Sequence, residues 1–140
     1  MSVRIEGTSN FKASPVAYLA FLPRLVAIAK ELGYALAVHG SMARDFDLIA
    51  VAWTHAAKPP EELVEAFIKT TGGWIICDPN ADPFDYSRRC PEPKPHGRLG
   101  WTIHLGGGPF IDLSVIPPIQ DSVLKHMELL EKMAKEVKQE

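Results

Sequence analysis

The sequence has only two cysteines, no long apolar run and no marked excess of charge of either sign. Each shortage excludes a class of protein. Two cysteines cannot build the dense disulfide framework of a small secreted scaffold. No stretch approaches the roughly 20 apolar residues of a membrane-spanning helix. Fifteen Lys and Arg stand against 17 Asp and Glu, a net charge of −2. A chain that neutralised many phosphates of a duplex would be basic. The opening residues, Met1 to Glu6, lack the apolar stretch of a secretory signal. The expectation is a soluble, reduced, cytoplasmic protein with no membrane partner.

What is present fits a small globular chain. Hydrophobic residues make up 46% and charged residues 23%, both near the globular average. The 140 residues correspond to about one domain, so residues 1–140 are expected to share one core. Twelve prolines are present and they cluster. Pro79, Pro83, Pro91, Pro93 and Pro95 fall in 78–98, which reads as one long loop. Irregular segments of that length are usually functional.

The periodicity predicts an α+β fold with one mixed sheet and helices packed on one face. After a polar lead-in with a short strand at Val3–Ile5, Ser14-Pro15 reads as the cap and first residue of a helix. Its apolar residues run from Val16 to Ala29. Pro23 either kinks that helix or starts a second one, because it removes a donor and clashes one turn back. Gly33 reads as the residue that ends it. Tyr34–His39 and Phe46–Trp53 read as strands, the second nearly all apolar and therefore central. Pro59-Pro60-Glu61-Glu62 opens another helix, with its acids in the first turn where the dipole favours them, and Gly72-Gly73 closes it. Trp74–Cys77 reads as a third strand. Leu99–Leu105 and Pro109–Ile116 read as a hairpin around Gly106–Gly108. The last element, 120–140, is an amphipathic helix with a stripe of Val123, Met127, Leu130, Met133 and Val137. Such a stripe is most often core packing, with a dimer seam as the alternative.

Three carboxylates carry the chemistry. Asp45 and Asp47 are two apart in an expected strand and share a face. In Phe110 to Val115 the alternation sends Ile111, Leu113 and Val115 one way and Asp112 and Ser114 the other. If Leu105 pairs with Pro109, then Thr102 pairs with Asp112 and His104 joins their face. An acid in an apolar strand costs free energy unless it is solvated, paired or metal-bound. Should the strand of Asp112 lie beside that of Asp47, the acids converge on a hard-oxygen site suited to Mg²⁺ with a bound phosphate. Two such ions about 3.5–4 Å apart could serve phosphoryl chemistry. The plainer reading is a set of surface or capping acids.

Gly40-Ser41, Asp45-Phe46-Asp47-Leu48 and Ile111-Asp112-Leu113 together resemble the signature of the polymerase-β-like nucleotidyltransferase superfamily. The pattern is a Gly-Ser turn, a two-acid strand and a third acid on a later strand. The resemblance implies transfer of a nucleoside monophosphate from an NTP to an acceptor hydroxyl with two Mg²⁺ ions. It implies that Asp45, Asp47 and Asp112 hold the metals, with Asp112 helping to activate the acceptor, and that Gly40 and Ser41 cradle the phosphates, with Arg44 adding charge. The blocks VHGSMARDFDLIAV and PHGRLGWTIHLGGGPFIDLSVIP are also similar to small uncharacterised phage-encoded proteins of this type. One departure stands out. Only Met42, Ala43 and Arg44 separate Ser41 from Asp45, which deletes most of a short helix that helps hold phosphate. The phosphate site is then rebuilt, or it is lost and the scaffold is a non-catalytic binder of a nucleotide or a partner protein.

Other residues extend the candidate site. Arg88, Arg89, Lys94, His96 and Arg98 make the proline loop basic, either as a phosphate- or acceptor-binding flap or as a solvated loop. Arg98 and His104 are candidate nucleotide contacts. His39 reads as a packed or hydrogen-bonded histidine. Cys77 and Cys90 with His96 or His104 match no standard zinc spacing. The expected acceptor is an RNA, a small molecule or a protein. The small size points to a stripped core that works with a partner, a second subunit or a small substrate.

Overall fold

A computed structural model describes residues 15–42, 45–78, 80, 82 and 90–139. The expected strand at Val3–Ile5, the Ser14 cap, and Arg44, Arg88 and Arg89 lie outside these residues. Among these residues three α-helices and five strands follow in the order α1 (Pro15–Glu31), β1 (Tyr34–Val38), β2 (Phe46–Ala52), α2 (Pro60–Thr71), β3 (Glu92–Lys94), β4 (Arg98–His104), β5 (Phe110–Ile116) and α3 (Asp121–Val137). The fold is α+β. All five strands join one mixed sheet in the order β1-β2-β5-β4-β3. Only β2 and β5 run parallel; the other neighbours are antiparallel.

One face of the sheet carries the core. Phe46, Leu48 and Ala50 of β2, Ile111, Leu113 and Val115 of β5, and Trp101 and Ile103 of β4 are buried there. α1 covers them with Tyr18, Leu25 and Ala29, and α2 with Leu63, Val64 and Phe67. α1 runs unbroken through Pro23, so no second helix begins there. Pro23 lies on the exposed side of α1, where water can serve the carbonyl that its ring leaves without a donor. Gly33 has φ +89°, as its reading as a helix terminator requires. Gly72 ends α2 in the left-handed conformation, its N–H donating to the Ile68 carbonyl.

The hairpin register is the expected one. Thr102 pairs with Asp112, and the Leu105 N–H donates to the Pro109 carbonyl at 3.0 Å. All three turn glycines have positive φ, a conformation that favours glycine.

Four expectations need correcting. Trp74–Cys77 is not a strand: Trp74 makes one isolated bridge with His104. The third strand is instead Glu92–Lys94, inside the segment read as a loop, and a tight helical turn at Pro95–Gly97 joins it to β4. It is a three-residue edge strand, the one place in a sheet where a proline such as Pro93 does little harm. Cys77 and Cys90 form a disulfide with Cα atoms 5.3 Å apart. That removes both from any zinc site and departs from the reduced-thiol expectation. The α3 stripe is not core packing, since Val123, Met127, Leu130, Met133 and Val137 are all exposed. Among the described residues, no helix is long and apolar enough to cross a membrane.

Candidate functional site: a carboxylate pair on the second face of the sheet

The face opposite the core carries the polar residues of the strands. Asp47 of β2 lies directly opposite Asp112 of β5 in the parallel register, and Asp112 lies opposite Thr102 of β4. Residues paired across strands share a face, so these three form one row. On the other side of Asp47, the His39 N–H donates to the Asp47 carbonyl at 2.9 Å. The row therefore reads His39, Asp47, Asp112, Thr102. The alternation of Ile111, Leu113 and Val115 into the core forces Asp112 onto this face. Leu48 and Ala50 do the same for Asp47.

Two carboxylates brought this close repel each other. The Asp47 carboxyl is raised above its ordinary value of 3.8, first by burial and then by the charge on Asp112, with a smaller contribution from Asp45. His39 and Lys94 pull the other way. The Lys94 ammonium lies 3.4 Å from an Asp112 oxygen, in a half-buried ion pair. Its stem reaches that oxygen by lying across Gly100, where an added Cβ would run into Lys94 Cε. A glycine in β4 thus opens the path for a lysine from the edge strand.

Gly40 plays a related part. It has φ +71°, and an added Cβ would collide with the Asp47 carboxylate. The Gly-Ser turn is therefore packed directly against the first acid of the pair. Ser41 is exposed beside it. Asp45 stands one residue before β2, outside the strand in which it was expected. It acts electrostatically on Asp47 and on the Tyr18 hydroxyl. Tyr18 is a residue that the apolar spacing of α1 does not single out. It stacks on Phe46 with ring centroids 4.7 Å apart, and burial, then Asp45, then Asp47 raise its pKa.

The remaining candidates separate. His104 shares the face of Asp112, one strand repeat along β4. Arg98 lies at the far end of β4, about 13 Å from Thr102 at ~3.3 Å per residue. Its Nε donates to the Pro95 carbonyl at 3.1 Å, which ties it to its own turn. Lys94, not Arg98, brings positive charge to the acids.

The donor set suits a hard cation that arrives with its own oxygens. Among the described residues, no group of three or more His, Cys, Asp or Glu is arranged to hold a metal ion. Two facing carboxylates whose mutual repulsion a cation would relieve nevertheless fit Mg²⁺. That ion is typically held by one or two carboxylates plus substrate phosphates rather than by an all-protein cage. Three surface cavities lie elsewhere, around Tyr34 and Trp53, around Pro60 and Pro118, and around Trp53 and Pro117. Compared with protein-family models, with curated proteins and with solved structures, the chain matches none.

Proposed function

We propose that this chain is a minimal nucleotidyltransferase-like protein that moves a nucleoside monophosphate from an NTP to an acceptor hydroxyl. The observation that carries this reading is the parallel register of Asp47 with Asp112, with Gly40 packed against the Asp47 carboxylate. The hydroxyl oxygen attacks the α-phosphorus, the bond to the β-phosphate oxygen breaks, and pyrophosphate leaves. Asp47 and Asp112 would hold Mg²⁺, with Asp45 adding negative charge beside Asp47, and the ion would supply Lewis acidity toward the phosphate oxygens. Gly40 and Ser41 present backbone N–H groups and a hydroxyl to the phosphates. Asp112 orients the acceptor hydroxyl and takes up its proton, while Lys94 tempers the negative charge of the pair before substrate enters.

One observation favours a second reading, a nucleotide binder without catalysis. Only three residues separate Ser41 from Asp45, and a lysine already neutralises Asp112. Calorimetry with each NTP, with and without Mg²⁺, on wild type and Asp47→Ala, together with an assay of pyrophosphate release, tests both. Metal-dependent binding that the substitution abolishes, with pyrophosphate released, supports transfer. Metal-independent binding without release supports the binder, and no binding of any NTP sinks both.

A further inference from the structure

Next to the acid row runs a row of aromatic rings. Trp74, His104 and Phe110 lie side by side across the edge of the sheet. Trp74 stacks on His104 with centroids 5.8 Å apart and planes 26° from parallel. His104 meets Phe110 at 6.3 Å in a tilted arrangement. His104 and Phe110 are paired across the hairpin, so both share the face of Thr102 and Asp112. None of the three belongs to the core cluster, and Trp74 keeps 49% of its surface in water.

The backbone holds this row firmly. Trp74 and His104 exchange both backbone hydrogen bonds, at 3.0 and 2.8 Å. Gly73 lets the chain come that near, since an added Cβ would stand 2.6 Å from the His104 carbonyl oxygen. The outer ring of Trp74 lies over Gly106 of the hairpin turn. A Trp ring held half-exposed beside a His and a Phe on the face away from the core leaves an aromatic surface that a planar ligand can cover.

Resting on the nucleotidyl-transfer reading above, we infer that Trp74, His104 and Phe110 are the stacking platform for the nucleotide base. The geometry supplies the reason. Phe110 precedes Asp112 by two residues in β5, and His104 follows Thr102 by two in β4. One strand repeat, about 7 Å, separates the aromatic row from the acid row. In a nucleotide one sugar ring separates phosphate from base, so phosphates at Asp47 and Asp112 deliver a base to the rings. Stacking on aromatic faces tolerates any base. Purines present the larger face, and the platform favours them.

The test compares Mg²⁺ complexes of ATP, CTP and inorganic triphosphate by calorimetry on wild type, Trp74→Leu and Phe110→Leu. Base–aromatic stacking predicts that wild type binds ATP roughly tenfold or more tighter than inorganic triphosphate, with CTP between them. Either substitution brings the ratio of ATP to triphosphate affinity close to one. Circular dichroism confirms that each variant is folded, and two variants guard against the failure of one. Wild-type binding of ATP and triphosphate with equal affinity overturns the platform and leaves the transfer reading standing. So does an undiminished ATP preference in both variants. Wild type that binds neither ligand overturns the transfer reading and the platform with it.

Discussion

Asp47 and Asp112 face each other across adjacent parallel strands, and the Lys94 ammonium sits 3.4 Å from Asp112. The pair is a source of repulsion that the fold keeps in place, and four measurable consequences follow from it and from the sheet that holds it.

The first concerns pH. Burial and the Asp112 charge raise the Asp47 carboxyl above its ordinary 3.8, so the native state holds that proton more tightly than the unfolded chain does. The stabilising contribution is complete below 3.8 and is lost as pH rises through the native value. Asp47→Asn should therefore melt at a higher temperature than wild type at neutral pH, with the difference closing below 3.8. Thermal melts across that range check it. Equal melting temperatures at neutral pH would mean that the pair is not strained by charge.

Gly40 offers a matched comparison with Gly97. Their φ values are +71° and +72°, but nothing lies within 4 Å of an added Cβ at Gly97, whereas at Gly40 it meets Asp47. Gly40→Ala and Gly97→Ala should each cost about 1–2 kcal/mol of backbone strain in urea denaturation. Only Gly40→Ala should also abolish Mg²⁺-dependent nucleotide binding. If both variants bind alike, the contact between the turn and the acid is unimportant.

Gly100→Ala tests the path of Lys94. The added methyl meets the flexible end of a side chain, so the cost should stay within about 1 kcal/mol, the worth of a partly exposed ion pair. The ammonium should lift away from Asp112. Because Lys94 lowers the Asp47 pKa, that pKa should rise, as it should in Lys94→Met. Carbon-13 titration of the Asp47 carboxyl reads this directly, and an unmoved titration in both variants refutes it.

Among the described residues, α3 contributes none to the core cluster. Deleting residues 121–140 should change unfolding free energy by less than about 1 kcal/mol, as surface changes do. Leu113→Ala, which empties a fully buried position between the helices and the sheet, should cost about 2–5 kcal/mol. Comparable losses in the two variants would show that α3 packs on the sheet in solution.

The legible parts of the fold are those set by local chemistry. The period-two alternation around Asp112 and the glycines at 106–108 define the hairpin register, so Thr102 opposite Asp112 is readable. The nearly all-apolar run of β2 places it centrally, but its parallel pairing with β5 stands in the sequence only as a condition and comes from the structure. What the sequence hides depends on distant partners. Glu92-Pro93-Lys94 has no strand propensity and becomes a strand only because β4 offers it an edge. Trp74–Cys77 has the propensity but, beyond Trp74, no pairing partner among the described residues. Lys94 is visible as one charge among several in a basic stretch. Its selection over Arg98 comes from the missing side chain at Gly100, which matters only once β3 and β4 are paired. The disulfide and the exposed stripe of α3 are likewise settled by three-dimensional neighbours, not by spacing.

The parallel junction of β2 with β5 has a consequence for the order of assembly. β1 and β2 are close in sequence, and so are β4 and β5, so each antiparallel pair can form early with little loop-closure entropy. The parallel seam joins strands separated by α2, the disulfide loop, β3 and β4, and contacts of such long separation form slowly. The two carboxylates come together only when that seam closes. Neither antiparallel pair alone contains both acids, so a chain that closes the parallel seam late meets their repulsion late. A signal from the pair, such as the displaced titration of Asp47, would report completed folding and not the formation of either half.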